Sequence, residues 1–193
     1  MRAIWTRLAP GIATLALALA SGSVSAQFSS NPCSPSGDFV TGGGFIIPNS
    51  TSGDHANFGV AGACKNGFFW GHLEYIDHGI DLNVHWTSIT AYFPDSSDSK
   101  VRFICGKART NLYGDVDFAV RTRDDAEPGV NDEFDIQLTQ GPAPVVPTYT
   151  TNPNLLGITA HKLNDGNGGG GNIRLHGTEG GPGGPCPART VGA

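Results

Sequence analysis

The sequence predicts an all-β domain, a two-sheet β-sandwich or flattened barrel of about nine or ten short strands. Three observations carry this expectation. Twenty-eight glycines and 13 prolines separate short apolar alternations. The alternations have a period of two, which places every second side chain on one face of a strand. Beyond the first 26 residues, no stretch sustains the 3.6-residue period of an amphipathic helix.

Those first 26 residues read as a secretory signal peptide. Arg2 and Arg7 form a positive leader, "GIATLALALA" a short apolar core, and "VSA" at Val24–Ala26 a small-residue cleavage site. The expected organisation is a signal peptide over 1–26, a flexible segment over 27–38, the β-sandwich domain over 39–177 and a Gly/Pro-rich tail over 178–193. No other run approaches ~20 apolar residues, so no transmembrane segment is expected, and the mature chain should be secreted or held at the cell surface. Without Arg2 and Arg7 it carries 10 basic and 17 acidic side chains, a net charge of −7. That balance disfavours nucleic acid and anionic membranes and is compatible with divalent cations.

Four cysteines in an exported chain suggest two disulfides. Three pairings are open. Cys33–Cys186 is favoured because both lie in Pro/Gly-rich flanks and would tie the ends together, leaving Cys64–Cys105 inside the domain. Zinc is a weak rival, since no C-x-x-C pair is present.

The elements follow in order. "DFVTGGGFII" is a Gly-rich strand and "ANFGVAGA" a second. "KNG" carries Asn-Gly, a strong hairpin signal. In "FFWGHLEYID", Phe69, Leu73 and Tyr75 share one face, and Trp70, His72 and Glu74 the other. "DLNVHWTSITAYF" changes phase near Thr87–Ser88, which predicts a β-bulge or bend and a strand that crosses between sheets. "KVRFICGKART" follows a polar turn, with Val101, Phe103 and Cys105 inward. "DVDFAV" and "EFDIQL" are clean alternations: Val116, Phe118 and Val120, then Phe134, Ile136 and Leu138. "PAPVVP" is an extended connection, and "LLGITAHKL" and "NIRLHG" close the domain.

Several of these pieces, in their order, resemble the post-choice-of-anchor-protein domain of secreted bacterial proteins. They are "VTGGGFI", "NFGV", "GHLEYIDHGIDLNVHWTSITAY", "CGKARTN", "YGDVDFAVRTRDDAEPGVNDEFDIQL" and "GGGNIRLHG", spanning 40–177. The resemblance implies an exported all-β module without an established activity, so no catalytic residues are carried over. Cys33 and Cys186 are additions at the flanks; paired, they would make this copy a stapled, free-standing domain.

The residues themselves offer three candidate sites. Asp124, Asp125, Glu127, Asp132 and Asp135 fall in one loop with a Pro128-Gly129 turn. Calcium takes six to eight oxygens on a backbone able to wrap, so this loop is the candidate calcium cradle. Asp135 alternates away from Phe134 and Ile136 and should point off the core. Against calcium, the EF-hand alternation is missing, and Arg121 and Arg123 could neutralise the acids. His72 and Glu74 share a strand face, and with His78 they make a candidate zinc or copper set. Trp70 lies on the same face, so Trp70, His72 and Glu74 form the candidate carbohydrate-binding group; Trp86 sits near the phase change.

Other patterns fail their context. "NDGNGGGGNI" contains G-x-G-x-x-G but leads into a strand rather than a helix. Asn49 begins a glycosylation sequon that carries little weight without a known host. No G-x-S-x-G or H-E-x-x-H is present. Glu74 with Asp77, or the loop acids, could form a hydrolytic carboxylate pair, but any acidic β-protein supplies such pairs. The expectation is therefore a non-enzymatic structural or adhesive module, ordered by calcium, with an extracellular protein or glycan partner. A carbohydrate-binding module is the alternative, and a carboxylate-dependent hydrolase the third. An exposed sheet edge would permit self-assembly.

Overall fold

Asn66 and Gly67 adopt the positive φ angles of a two-residue hairpin turn, 54° and 81°. That turn fixes the register of the strands on either side, and the other strands add to this pair. The computed structural model describes residues 33, 37–49, 51–141, 147–153, 155 and 161–177. The expected signal peptide, residues 142–146 of "PAPVVP", residues 156–160 of "LLGITAHKL" and Cys186 lie outside the described residues.

The described chain is all-β, with no helix among its residues. Ten strands follow in order: β1 (Phe39–Ile46), β2 (Ala56–Lys65), β3 (Phe68–Asp77), β4 (Leu82–Pro94), β5 (Val101–Thr110), β6 (Gly114–Arg123), β7 (Glu133–Thr139), β8 (Tyr149–Thr150), β9 (His161–Lys162) and β10 (Gly170–His176). They form one sheet in the order β10-β1-β2-β3-β4-β5-β6-β7-β8, with β9 also on β7. Every pairing in it is antiparallel. Where the alternations suggested two sheets, continuous hydrogen bonding makes one curled sheet, a half-barrel.

The curl has visible causes. The ladder between β4 and β5 slips between Trp86 and Ser88 and again between Ile89 and Ala91. Bulges there bend and twist the strand, so the phase change in the sequence marks a curl and not a passage between sheets. Inside the curl, Phe58 of β2 stacks on Phe134 of β7, with ring centroids 3.8 Å apart. Gly62 of β2 meets Ile104 of β5 so closely that a Cβ there would lie 2.7 Å from its Cγ1. The main core gathers the inward parities of both halves, including Val60, Leu73, Tyr75, Val84, Phe118, Ile136 and Leu138. Each such large side chain stabilises the fold by about 1.5–3 kcal/mol over leaving it in water.

A smaller core sits on the outer face, where Ala91, Val101, Phe103, Cys105 and Ala119 pack with Leu155, so Val101, Phe103 and Cys105, expected inward, face away from the main core, which takes Ile104 instead. β5 is consequently buried on both faces over its first half, and β7 along its whole length.

The disulfides differ from the favoured pairing. Cys33 bonds Cys64, with Cα atoms 6.0 Å apart. The Cys33 amide donates to the Gly67 carbonyl at 3.3 Å, so the chain before β1 folds onto the β2–β3 hairpin. This brings Cys33 to β2 rather than to the tail. Cys105, lodged in the outer core, is disulfide-bonded as well, and its partner lies outside the described residues.

Candidate functional site

The acidic loop joins β6 to β7 and lies against β10. Its turn closes with the Gly129 and Val130 amides donating to the Ala126 carbonyl at 2.7 and 3.0 Å. Gly129 has φ +81°, and a Cβ there would lie 2.3 Å from the Gly171 carbonyl oxygen; only glycine allows so close an approach.

Asp132 has no solvent exposure. Its Oδ1 accepts the amides of Asp125 and Ala126 at 2.8 and 3.4 Å, and its Oδ2 accepts the Ile173 amide at 2.7 Å. Asp124 Oδ2 accepts the Leu175 amide at 2.7 Å. Ile173 and Leu175 are alternate residues of β10, whose other edge pairs with β1. Two carboxylates thus stand where the carbonyls of a further strand would stand, capping a sheet edge. Burial pushes the Asp132 carboxyl above its ordinary pKa, against the lowering effect of its three amide donors.

The other three acids face elsewhere. Asp125 pairs with Lys100 at 3.0 Å and Arg123 at 2.9 Å. Glu127 lies 3.5 Å from Arg174. Asp135 does leave the main core, but not for solvent. It is fully buried, accepting hydrogen bonds from Thr151 Oγ1 at 3.0 Å and Asn152 Nδ2 at 3.3 Å, with His161 Nδ1 2.8 Å away. The segment carrying Thr151 and Asn152 covers that face of β7. Among the described residues, no three His, Cys, Asp or Glu side chains converge as a metal ion requires.

His72, Glu74 and His78 are not gathered either. Glu74 pairs across the strands with His85 Nδ1 at 2.5 Å, while His78 Nε2 meets Asn57 Oδ1 at 2.9 Å. Glu74 and Asp77 lie on opposite faces of β3, so they form no carboxylate pair across a substrate. Asp77 points inward, accepting the Tyr149 hydroxyl at 2.7 Å and the Gly79 amide at 2.9 Å. The Tyr149 and Tyr75 hydroxyls then lie 2.5 Å apart. Burial raises the pKa of both phenols, so neither ionises near neutrality.

The outer face of β1–β3 is where large apolar side chains meet water. Trp70 is 47% exposed and Phe39 is 40% exposed. Phe68 and Ile76 are exposed on the same face. Register places Phe39, Ala63 and Trp70 in one row across three strands, with alanine in the middle. Beside this row lies a cleft of about 400 Å³ lined by Gly37, Asp38, Phe39, Ala63, Cys64, Lys65 and Trp70. His176 stacks on Phe39 with centroids 4.3 Å apart and planes 7° from parallel. Thr41 Oγ1 holds His176 Nε2 at 3.0 Å, which fixes that stack. Lys65 Nζ lies over the Trp70 ring, 5.8 Å from its centroid, a cation–π contact that covers that ring face. Trp86, by contrast, is partly buried against the main core.

The sequence pointed to Trp70, His72 and Glu74 and missed Phe39, Lys65 and His176. The parity of "DFVTGGGF" sends Phe39 opposite to the core residue Val40, a readable signal. That Phe39 faces Trp70 across an alanine depends on strand register, which the sequence does not display. Comparison with family models, with curated proteins and with solved structures returned no match.

Proposed function

We propose that the chain is an exported, disulfide-stapled β-module that works by contact rather than by catalysis, as a structural or adhesive domain at the cell surface or in the extracellular matrix. The observation that carries this reading is the outer face of β1–β3. Of the seven exposed large hydrophobic side chains among the described residues, Phe39, Phe68, Trp70 and Ile76 share it. A concentration of apolar side chains on one face, rimmed by polar groups, marks a contact surface. The leader and the Cys33–Cys64 bridge support export. The resemblance to the post-choice-of-anchor-protein domain belongs to the same proposal, as does the module's sandwich-like packing around a curled sheet.

The test is fractionation followed by rebinding. The protein expressed from its full sequence should appear outside the cell beginning at Gln27, and the purified oxidised protein should sediment with isolated surface polymers. A Phe68→Ser, Ile76→Ser variant should sediment less. An unprocessed, reduced protein retained in the cytosol would overturn the reading. So would turnover of any substrate abolished by one carboxylate substitution.

A further inference from the structure

We propose that the Gly/Pro-rich tail, over residues 178–186, crosses the outer face of the sheet as a strap and packs over Phe39 and Trp70. This deepens the contact-module reading by naming what covers part of that face, and it rests on that reading only for its effect on adhesion.

The tail is anchored at both ends. It leaves the described chain at Gly177, directly after His176 of β10. Cys105 is disulfide-bonded, Cys33 takes Cys64, and the sequence holds four cysteines, so Cys186 is the partner of Cys105.

Register puts these two anchors on one line. His176 pairs with Phe39, Phe39 with Ala63 and Ala63 with Trp70, a row across β10, β1, β2 and β3. Glu74, His85 and Arg109 make a second row across β3, β4 and β5. β3 and β5 run parallel, since each is antiparallel to β4. Four residues back from Glu74 is Trp70, and four back from Arg109 is Cys105. Cys105 therefore continues the first row, and its side chain lies on the outer face with Ala91 and Phe103.

Length favours the direct route. Five strand-to-strand steps of ~4.8 Å separate β10 from β5, ~24 Å along the sheet. Nine residues lead from Gly177 to Cys186. An extended, proline-containing chain advances ~3.1 Å per residue, so nine reach ~28 Å. A tail spanning this row runs nearly straight. The interior is closed to it by the packed core, including Leu73, Tyr92 and Ile104. A straight crossing on the outer face passes over Phe39 and Trp70, which are both exposed on the row. Lys65 covers one face of the Trp70 ring, and the side chain is still 47% exposed.

Composition suits that crossing. In "TEGGPGGPC" the glycines let a backbone lie close to the sheet, and the rings of Pro182 and Pro185 can pack on aromatic side chains, as in polyproline recognition. The segment's one acid, Glu179, falls on the side of β1 and β2. Lys65 of β2 is paired with no carboxylate among the described residues, unlike Lys100 and Lys107.

The experiment is nuclear Overhauser spectroscopy on the isotope-labelled, oxidised protein. Cross-peaks are expected from protons of residues 180–185 to the Trp70 and Phe39 rings. A Cys105→Ala, Cys186→Ala protein, in which the tail is released, should lose them. Hydroxyl-radical labelling of Trp70 and Phe39 should then rise at least threefold, with Ile76, which lies off the row, unchanged. Absence of the cross-peaks in native protein would overturn the proposal, whatever the variant does. So would cross-peaks from the tail to Asp38 and Arg102 instead, which would carry it over the end of the sheet. Equal labelling of native and released protein would overturn it as well. The two readings fail separately. If the cross-peaks are present but neither native nor released protein sediments with surface polymers, the contact module falls and the strap stands. If native protein sediments and the cross-peaks are absent, the strap falls and the contact module stands.

Discussion

Asp132 Oδ2 accepts the backbone amide of Ile173 at 2.7 Å, across 41 positions of sequence. One carboxylate from the β6–β7 loop thereby covers the edge of β10, and its other oxygen orders the loop itself. Removing it leaves the amides of Asp125, Ala126 and Ile173 without their acceptor. Each buried donor left unsatisfied costs ~1–3 kcal/mol. Asp132→Ala should lose about 3 kcal/mol or more in urea unfolding. Asp132→Asn should lose less, because its amide oxygen still accepts on one side.

Calcium and chelator should give the same melting curve. Every one of the five loop acids already has a partner on the protein: backbone amides for Asp124 and Asp132, cations for Asp125 and Glu127, and Thr151, Asn152 and His161 for Asp135. Gathering these carboxylates round one ion would require moving side chains out of the contacts that order the loop. A rise of several degrees with millimolar calcium, lost in Asp125→Asn, would show that the loop rearranges into a cation site.

Peptide mapping under non-reducing conditions should recover Cys33 linked to Cys64. It should also recover Cys105 linked to Cys186, the one cysteine left by count. The Cys33–Cys64 bridge spans 31 residues. Chain-entropy arguments give about 3–4 kcal/mol for closing a loop of that length. A Cys33→Ser, Cys64→Ser protein should be less stable by that order, read from denaturant midpoints at constant slope.

Asp38 and Arg102 form a buried ion pair between the start of β1 and β5, with the Tyr92 hydroxyl donating to Asp38 Oδ1 at 3.0 Å. Deleting one partner of such a pair strands the other charge, at a cost of roughly 3–5 kcal/mol. Asp38→Ala should show that loss. Asp38→Ala combined with Arg102→Met should recover a large part of it, and equal stabilities for the single and double variants would contradict the account.

Two carboxylates should pull stability in opposite directions with pH. Burial works against the ionised form of Asp98, but the Arg123 hydrogen bond and the Lys100 amide outweigh it and hold the carboxyl below its ordinary range. Its contribution is present above the unfolded value of about 3.9 and is lost as pH falls through the folded value. Asp132 is shifted the other way, chiefly by burial. Its shift contributes fully below about 3.9 and is lost as pH rises through the folded value. The stability difference between native protein and Asp98→Asn should therefore shrink from pH 6 to pH 2. A constant difference would show that Asp98 acts only through packing.

Much of this architecture is written locally. Alternation in "EFDIQL" and "FFWGHLEYID" gave the strands and their inward faces, because the pleat alternates with a period of two whatever the surroundings. Asn66-Gly67 gave a hairpin and its register, because few other residue pairs accept those angles. The phase change at Thr87–Ser88 gave the bulge.

The sequence by itself determined that the chain is all-β, about how many strands it has, where they turn and, for most strands, which side chains point inward; in β5, buried on both faces, it named Val101, Phe103 and Cys105 where Ile104 enters the main core. Only the tertiary structure decided what those strands enclose. Curling of one continuous sheet brought Phe58 onto Phe134 and set the β6–β7 loop against β10, so its acids became caps and ion pairs rather than a gathered cluster. Folding of the chain before β1 onto the hairpin chose Cys64 for Cys33. Register across β1, β2 and β3 placed Phe39 opposite Trp70 over an alanine. The reason is common to all of them: conformational preferences act over a few residues, whereas partners are assigned by contacts among segments distant in sequence, which no local pattern encodes.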